Sequence, residues 1–234
     1  MKTNMTKNTS DKIGRFEAYQ RKVRAKQSNI SKQKVCEYMV ITAVQMISKQ
    51  TGIKASEIKL GTEQIELING LSDWIILNGA GEFNPDKSIY IAGPIGVGKT
   101  TIARAFAKTT QALKLNFGID YDFYFADVGS RFNKSIVEGD LRYLNNLTAV
   151  RHMVLDEVRE DQFTFKHFGN QINFMPILLN ARYKAWLNRR TQTVITTNLK
   201  PRGLQDNLKD PRLYDRLRQQ YHIATLNGPN YRHL

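Results

Sequence analysis

Between Ser31 and Gln50, Val35, Met39, Val40, Ala43, Met46 and Ile47 recur at three- and four-residue intervals, while Lys34, Glu37, Gln45, Ser48 and Lys49 take the opposite side. This spacing predicts an amphipathic helix whose wide apolar face either packs on a domain core or docks a partner. Thr62, read as an N-cap, opens a second helix, EQIELINGLSDWIIL, with Ile65, Ile68, Leu71, Trp74 and Ile75 directed inward. Asn78 to Lys87 holds three glycines or prolines and reads as a loop. Beyond it, apolar runs at Ser88–Ala92, Asp122–Ala126, His152–Leu155, Thr193–Thr197 and His222–Leu226 predict strands. Helical patterns separate most of them, the first running from Thr101 to Ala112. Alternating strands and helices imply an α/β fold, a five-stranded parallel sheet covered by helices on both faces. Residues 1 to about 30 are rich in Lys, Asn, Thr and Ser, and predict a flexible basic arm that buries too little apolar surface to offset its ordering entropy.

Length fits this picture, because 234 residues accommodate one full α/β domain and a smaller appendage. The composition shift divides the chain into a basic, partly helical N-terminal region over 1–57, suited to partner docking, and a main domain over 58–234. Net charge is +14, and residues 1–35 alone carry +8 from ten basic and two acidic side chains. That concentration points to a polyanionic partner, most simply nucleic acid. No run approaches the roughly 20 apolar residues of a membrane span, and the polar start lacks the core of a secretory signal, so a cytoplasmic protein with no membrane partner is expected. The single cysteine, Cys36, excludes an internal disulfide framework and reads as a buried small hydrophobe. His152, His167, His222 and His233 fall in unrelated contexts, which argues against zinc.

The chemistry begins at Gly93, Pro94, Ile95, Gly96, Val97, Gly98, Lys99 and Thr100, a complete G-x-x-x-x-G-K-T between a predicted strand and a predicted helix. Glycines there let consecutive backbone N–H groups curl around a phosphate at the positive end of the helix. Lys99 would reach the terminal phosphates, and Thr100 would offer a hydroxyl to Mg²⁺. ATP with Mg²⁺ is the ligand this loop predicts, and Thr101 lies beside the same phosphates. Met153, Val154 and Leu155 then lead into Asp156-Glu157. Asp156 fits the acid associated with the metal, and Glu157 fits a base that polarises attacking water. An adjacent base favours hydrolysis over transfer to a small acceptor. Asn198 closes the TVITTN run and is a candidate for orienting that water. Asp210 and Pro211 predict a helix start that puts Arg212 and Arg216 on one face and Leu213 and Leu217 on another. Arg216 is the candidate arginine finger, serving a neighbouring subunit.

With these motifs in order, the chain resembles the AAA+ ATPases of the bacterial helicase-loader group, the DnaC and IstB-like family, from about Ile65 to Arg232. The resemblance is carried by GPIGVGKT, MVLDEV, KHFGNQINFMPILLNARY, ITTNL and PRLYDRLRQQYHIATLNGPNYR. Gly96-Val97-Gly98 departs from the family's Gly-Thr-Gly, and Thr101-Ile102 from its His-Leu. The resemblance implies Arg216 acting in trans and Arg232 sensing nucleotide or interface. Only His233 and Leu234 follow Arg232, so no C-terminal helical lid is expected, and self-association on a partner or on DNA would complete the site.

The activity so implied is ATP-dependent loading of a hexameric replicative DNA helicase onto single-stranded DNA by a bacterial or phage-encoded factor; Lys134 and Arg142 are candidate DNA contacts, with ordinary solvated charges as the alternative. The alternative is an ATPase that helps a transposase select target DNA. A nucleotide-switched adaptor with negligible turnover is disfavoured by the presence of Glu157, Asn198 and Arg216, and a small-molecule kinase by the lack of an acceptor signature.

Overall fold

The computed structural model describes residues 30–76, 82–119, 121–128, 142–163, 165–167, 170–189, 191–228 and 230–231. In chain order the elements are α1 (Lys32–Thr51), α2 (Thr62–Ile75), β1 (Ser88–Ala92), α3 (Lys99–Phe117), β2 (Tyr124–Asp127), α4 (Arg142–Ala149), β3 (Met153–Val158), β4 (Phe165–His167), β5 (Asn170–Ile172), α5 (Phe174–Arg189), β6 (Thr193–Thr197), α6 (Pro201–Leu208), α7 (Pro211–Gln220) and β7 (Tyr221–Thr225). Five strands form a parallel sheet in the order β2-β3-β6-β1-β7, while β4 and β5 make a separate antiparallel hairpin. No described helix is long and apolar enough to cross a membrane.

Strand alternation assigns the two faces. Ile89, Ile91, Val154 and Val194 point into one core with Leu67, Ile68, Leu71, Trp74 and Phe106, under α1, α2 and α3. Tyr90, Ala92, Met153, Leu155 and Ile195 point into the other with Leu147, Leu178, Leu179, Leu204, Leu213 and Leu217, under α4 to α7. A strand buried on both faces has no polar side to show, which is why β1 and β6 are buried throughout. Val35, Met39 and Ala43 of α1 belong to the first core, so the apolar side of this helix packs on α2 and α3. Its outer side leaves Tyr38 and Ile41 exposed.

Two local expectations are corrected, and one element is new. Gly61, rather than Thr62, caps α2, and Gln64 reaches back so that its Oε1 accepts from the Gly61 N–H at 2.5 Å. A glutamine three residues in thereby satisfies the cap's own N–H, the half of a capping box that does not need a side chain at the cap. Cys36 is half-buried rather than buried, and its thiol donates to Asn69 Oδ1 at 3.1 Å. The β4–β5 hairpin was not expected, because two three-residue strands leave no readable alternation. Asp210 does cap α7, accepting from the N–H groups of Arg212 and Leu213.

Candidate functional site

The loop leaving β1 is shaped from three sides. Gly93 passes so close to the carbonyl oxygen of Leu226 that a Cβ would overlap it, and Gly96 adopts φ 86° against the Asn230 side chain. Only glycine meets both demands without strain. The Gly96 carbonyl accepts from the Tyr231 N–H at 3.0 Å, and the Val97 carbonyl accepts from Gln64 Nε2 at 3.0 Å. Val97 is a buried plug, whereas Ile95 is exposed at the loop's crest. Gln64 therefore clasps both the start of α2 and the loop, with its two amide atoms. The loop ends at Gly98, the N-cap of α3, so the leading N–H groups of that helix face it.

Lys99, the first residue of α3, is buried, and its ammonium donates to the carbonyls of Gly93 at 2.7 Å and Pro94 at 2.6 Å and to Asn198 Oδ1 at 2.9 Å. Sheet order explains the last bond. β6 lies between β1 and β3, so a residue just past β6 sits between the phosphate loop and the acids of β3.

Asp156 is 2% exposed and accepts from Thr196 Oγ1 at 2.6 Å, with the Thr100 hydroxyl near enough to favour its charged form. Burial pushes its carboxyl above the ordinary range, while the Thr196 and Thr100 hydroxyls oppose that rise. A buried carboxylate beside a hydroxyl is a hard-oxygen pair with an unmet demand for positive charge, which suits Mg²⁺. Among the described residues no group of three or more His, Cys, Asp or Glu gathers for a metal.

Glu157 has φ 60°, a left-handed backbone in a residue with a Cβ. The register of β3 against β6 shifts between Leu155 and Val158, and this irregularity turns the Glu157 side chain outward, where it is 48% exposed. Such a conformation costs about 1–3 kcal/mol and persists only where neighbours impose it. Here the Thr196 hydroxyl accepts from the Glu157 N–H at 2.9 Å, and Gln162 Nε2 donates to its carbonyl at 3.2 Å. Arg159 stands 3.9 Å from its carboxylate.

Sequence reasoning named Lys99, Thr100, Asp156, Glu157 and Asn198, and the fold brings them together at the adjoining ends of β1, β6 and β3. It passed over Thr196, which touches both acids, as well as Gln64, Gln162, Asn230 and Tyr231. The only signal for Thr196 was its place two residues before Asn198, and an alternating strand does not reveal which neighbour it faces. Arg216 lies apart. It is exposed on α7, donates to Asn180 Oδ1 at 3.1 Å, and sits 5.6 Å from the centre of the Tyr183 ring, both on α5. Arg232 and Lys134 lie outside the described residues, and Arg142 begins α4 with its side chain outside them.

The model of the IstB-like ATP-binding protein family matches residues 77–234. The chain belongs to this family. Its fold is that of the AAA+ proteins. The solved structure of DnaI shares 20% identity at a TM-score of 0.51, over 75% of this chain and 88% of that one. A putative primosome component from Streptococcus pyogenes shares 16% at 0.52, over 81% and 97%. AMPPCP-bound DnaA from Aquifex aeolicus shares 16% at 0.51, over 76% and 51%. At these identities the likeness establishes the fold alone. No curated protein matches the sequence significantly. The family match begins after α2, so Gln64 and its clasp on the loop stand on an element outside the matched stretch.

Proposed function

We propose that this chain is an ATPase that loads a replicative DNA helicase onto single-stranded DNA and hydrolyses ATP at a site shared between subunits. The observation that carries the reading is the convergence of Lys99, Asn198, Thr100, Asp156 and Glu157 at three adjoining strand ends, while Arg216 faces solvent on another surface. ATP with Mg²⁺ supplies the phosphoanhydride that is cleaved.

In this reading Gly93 to Thr101 bind the phosphates, and Lys99 exchanges carbonyl partners for phosphate oxygens. Thr100 and Asp156 hold the metal. Glu157, already turned out of the strand, accepts a proton from the attacking water, and Asn198 orients that water. Arg216 of a second copy completes the charge stabilisation, and its exposure is what a residue acting in trans requires. Arg232 is assigned to sensing nucleotide or interface. Residues 1–57 dock the helicase, with α1 as the link, because its inner side packs against the phosphate-loop helix. The putative primosome component, by name, supports the replication reading, and the cytoplasm is its setting.

The test is capture of the cognate helicase by the full chain with and without ATP. An ATP-modulated complex is expected, and a helicase that never binds overturns the loader reading. The family match also favours the transposase helper. Nucleotide-dependent filaments on duplex DNA, without helicase capture, would select that function instead.

A further inference from the structure

One side of the molecule has a cavity that extends beyond the phosphate site. A cavity of about 740 Å³ opens between the last turns of α1, the first half of α3 and β2, and Lys49, Arg104, Lys108, Tyr124 and Phe125 are among the residues that line it. A second cavity of about 170 Å³ lies further along the same edge strand, beside Arg151. Asp122 and Tyr124 line both, so the two cavities adjoin at Tyr124.

The chemistry there is cationic and aromatic. Tyr124 is 42% exposed on an edge strand, a large ring turned to solvent. The Arg104 guanidinium lies 5.0 Å from the centre of the Phe125 ring and 4.0 Å from Asp127, and its side chain stays 41% exposed. Asp122 does little to offset these charges, because its carboxylate is paired with Lys114 at 2.9 Å. The chain's own N-terminal arm is a poor occupant, since residues 1–29 hold eight basic and two acidic side chains and would be repelled. An anionic occupant with planar faces satisfies both the cations and the ring. A duplex hides its base faces, so an unpaired strand fits best.

We infer that the β2 edge is a track for a single strand of nucleic acid, with a base stacked on Tyr124 and phosphates held by Lys49, Arg104, Lys108 and Arg151. It differs from the contacts expected at Lys134 and Arg142. Thr100 and Thr101 form part of its wall, so a bound strand would lie against the first turn of the phosphate-loop helix. The inference rests on the nucleic-acid part of the proposed function and not on the helicase.

The experiment uses the full chain carrying Tyr124→Trp, titrated with oligothymidylate. Trp74 and Trp186 are buried, so the introduced indole reports directly on stacking. Saturable quenching of its emission is expected. Lys49→Ala with Lys108→Ala should flatten the log–log dependence of affinity on salt by about 1.4, two phosphate contacts at the single-strand slope. Tyr124→Ala should weaken binding by about tenfold, measured by anisotropy of labelled oligothymidylate. Unchanged emission, an unaltered salt slope, or quenching by polyglutamate but not by oligothymidylate overturns the inference. Quenching without any helicase complex would sink the loader reading alone, and a helicase complex without quenching would sink the track alone.

Discussion

The two ends of the β3–β6 pair are built from the same strands and do opposite things. At the entry end Arg182, fully buried, donates to Thr193 Oγ1 and to the carbonyls of Arg151 and Gln192, each at 3.0 Å, and to the Val150 carbonyl. His152 beside it accepts from the Gln192 N–H at 3.2 Å and lies tilted against the Tyr121 and Phe123 rings. At the exit end stand the buried Asp156 and, outside it, the strained and half-exposed Glu157 and the exposed Asn198. The entry end spends its polar groups on closing the sheet. The exit end leaves carboxylates, an amide and an ammonium within reach of a ligand, where the start of α3 adds positive potential. Stability and chemistry are thus separated by the length of a strand.

The sharpest way to break this division is at Glu157. Glu157→Gln should lower ATP hydrolysis by about 10²–10⁴-fold, measured as phosphate release, while the affinity for a fluorescent ATP analogue stays within about twofold. Full turnover would remove Glu157 from the chemistry. At the other end, Arg182→Met should cost about 3 kcal/mol in urea denaturation, since it strips donors from buried carbonyls, yet leave nucleotide affinity of the folded protein intact. A loss of affinity without loss of stability would contradict the separation.

Protonation distinguishes the ends by sign. Burial and the nearby Arg151 and Arg182 lower His152 from 6.5 to about 3, so below about pH 6.5 the unfolded chain takes up a proton that the folded chain refuses until about pH 3. Its contribution to stability is complete above pH 6.5 and declines as pH falls through that window. Asp156, raised by burial, acts in the opposite sense, because its folded form binds a proton first as pH falls. In urea unfolding at pH 7 and pH 4.5, His152→Gln should reduce the acid loss and Asp156→Asn should enlarge it. Thr196→Val has the smallest effect, about tenfold in hydrolysis and about 1 kcal/mol in stability, because one hydroxyl serves both acids. If stability fell but turnover did not, Thr196 would only hold the strands together.

Much of the fold was legible because strands buried on both faces are short runs rich in apolar and β-branched residues. The runs at Ser88–Ala92 and Thr193–Thr197 coincide with β1 and β6, and the other three differ from the expected bounds by a few residues at most. The inner face of α1 was legible as apolar, but its choice between core and partner was not, since periodicity marks a face and not what covers it. The left-handed backbone of Glu157 had no signal at all. Nothing in Asp-Glu distinguishes a straight strand from one that shifts register.

The sequence by itself determined the phosphate loop, because the left-handed backbone at Gly96 and Gly98 is a local demand that glycine meets, and it determined the strand ends that carry Asp156, Glu157 and Asn198. Tertiary structure alone decided that Thr196 would hold both acids, that Gln64 would clasp the loop from another helix, and that Tyr124 and the cations of α1 and α3 would share one edge. These are contacts between residues far apart in the chain, and only the order of strands in the sheet and the packing of helices upon it bring them within reach.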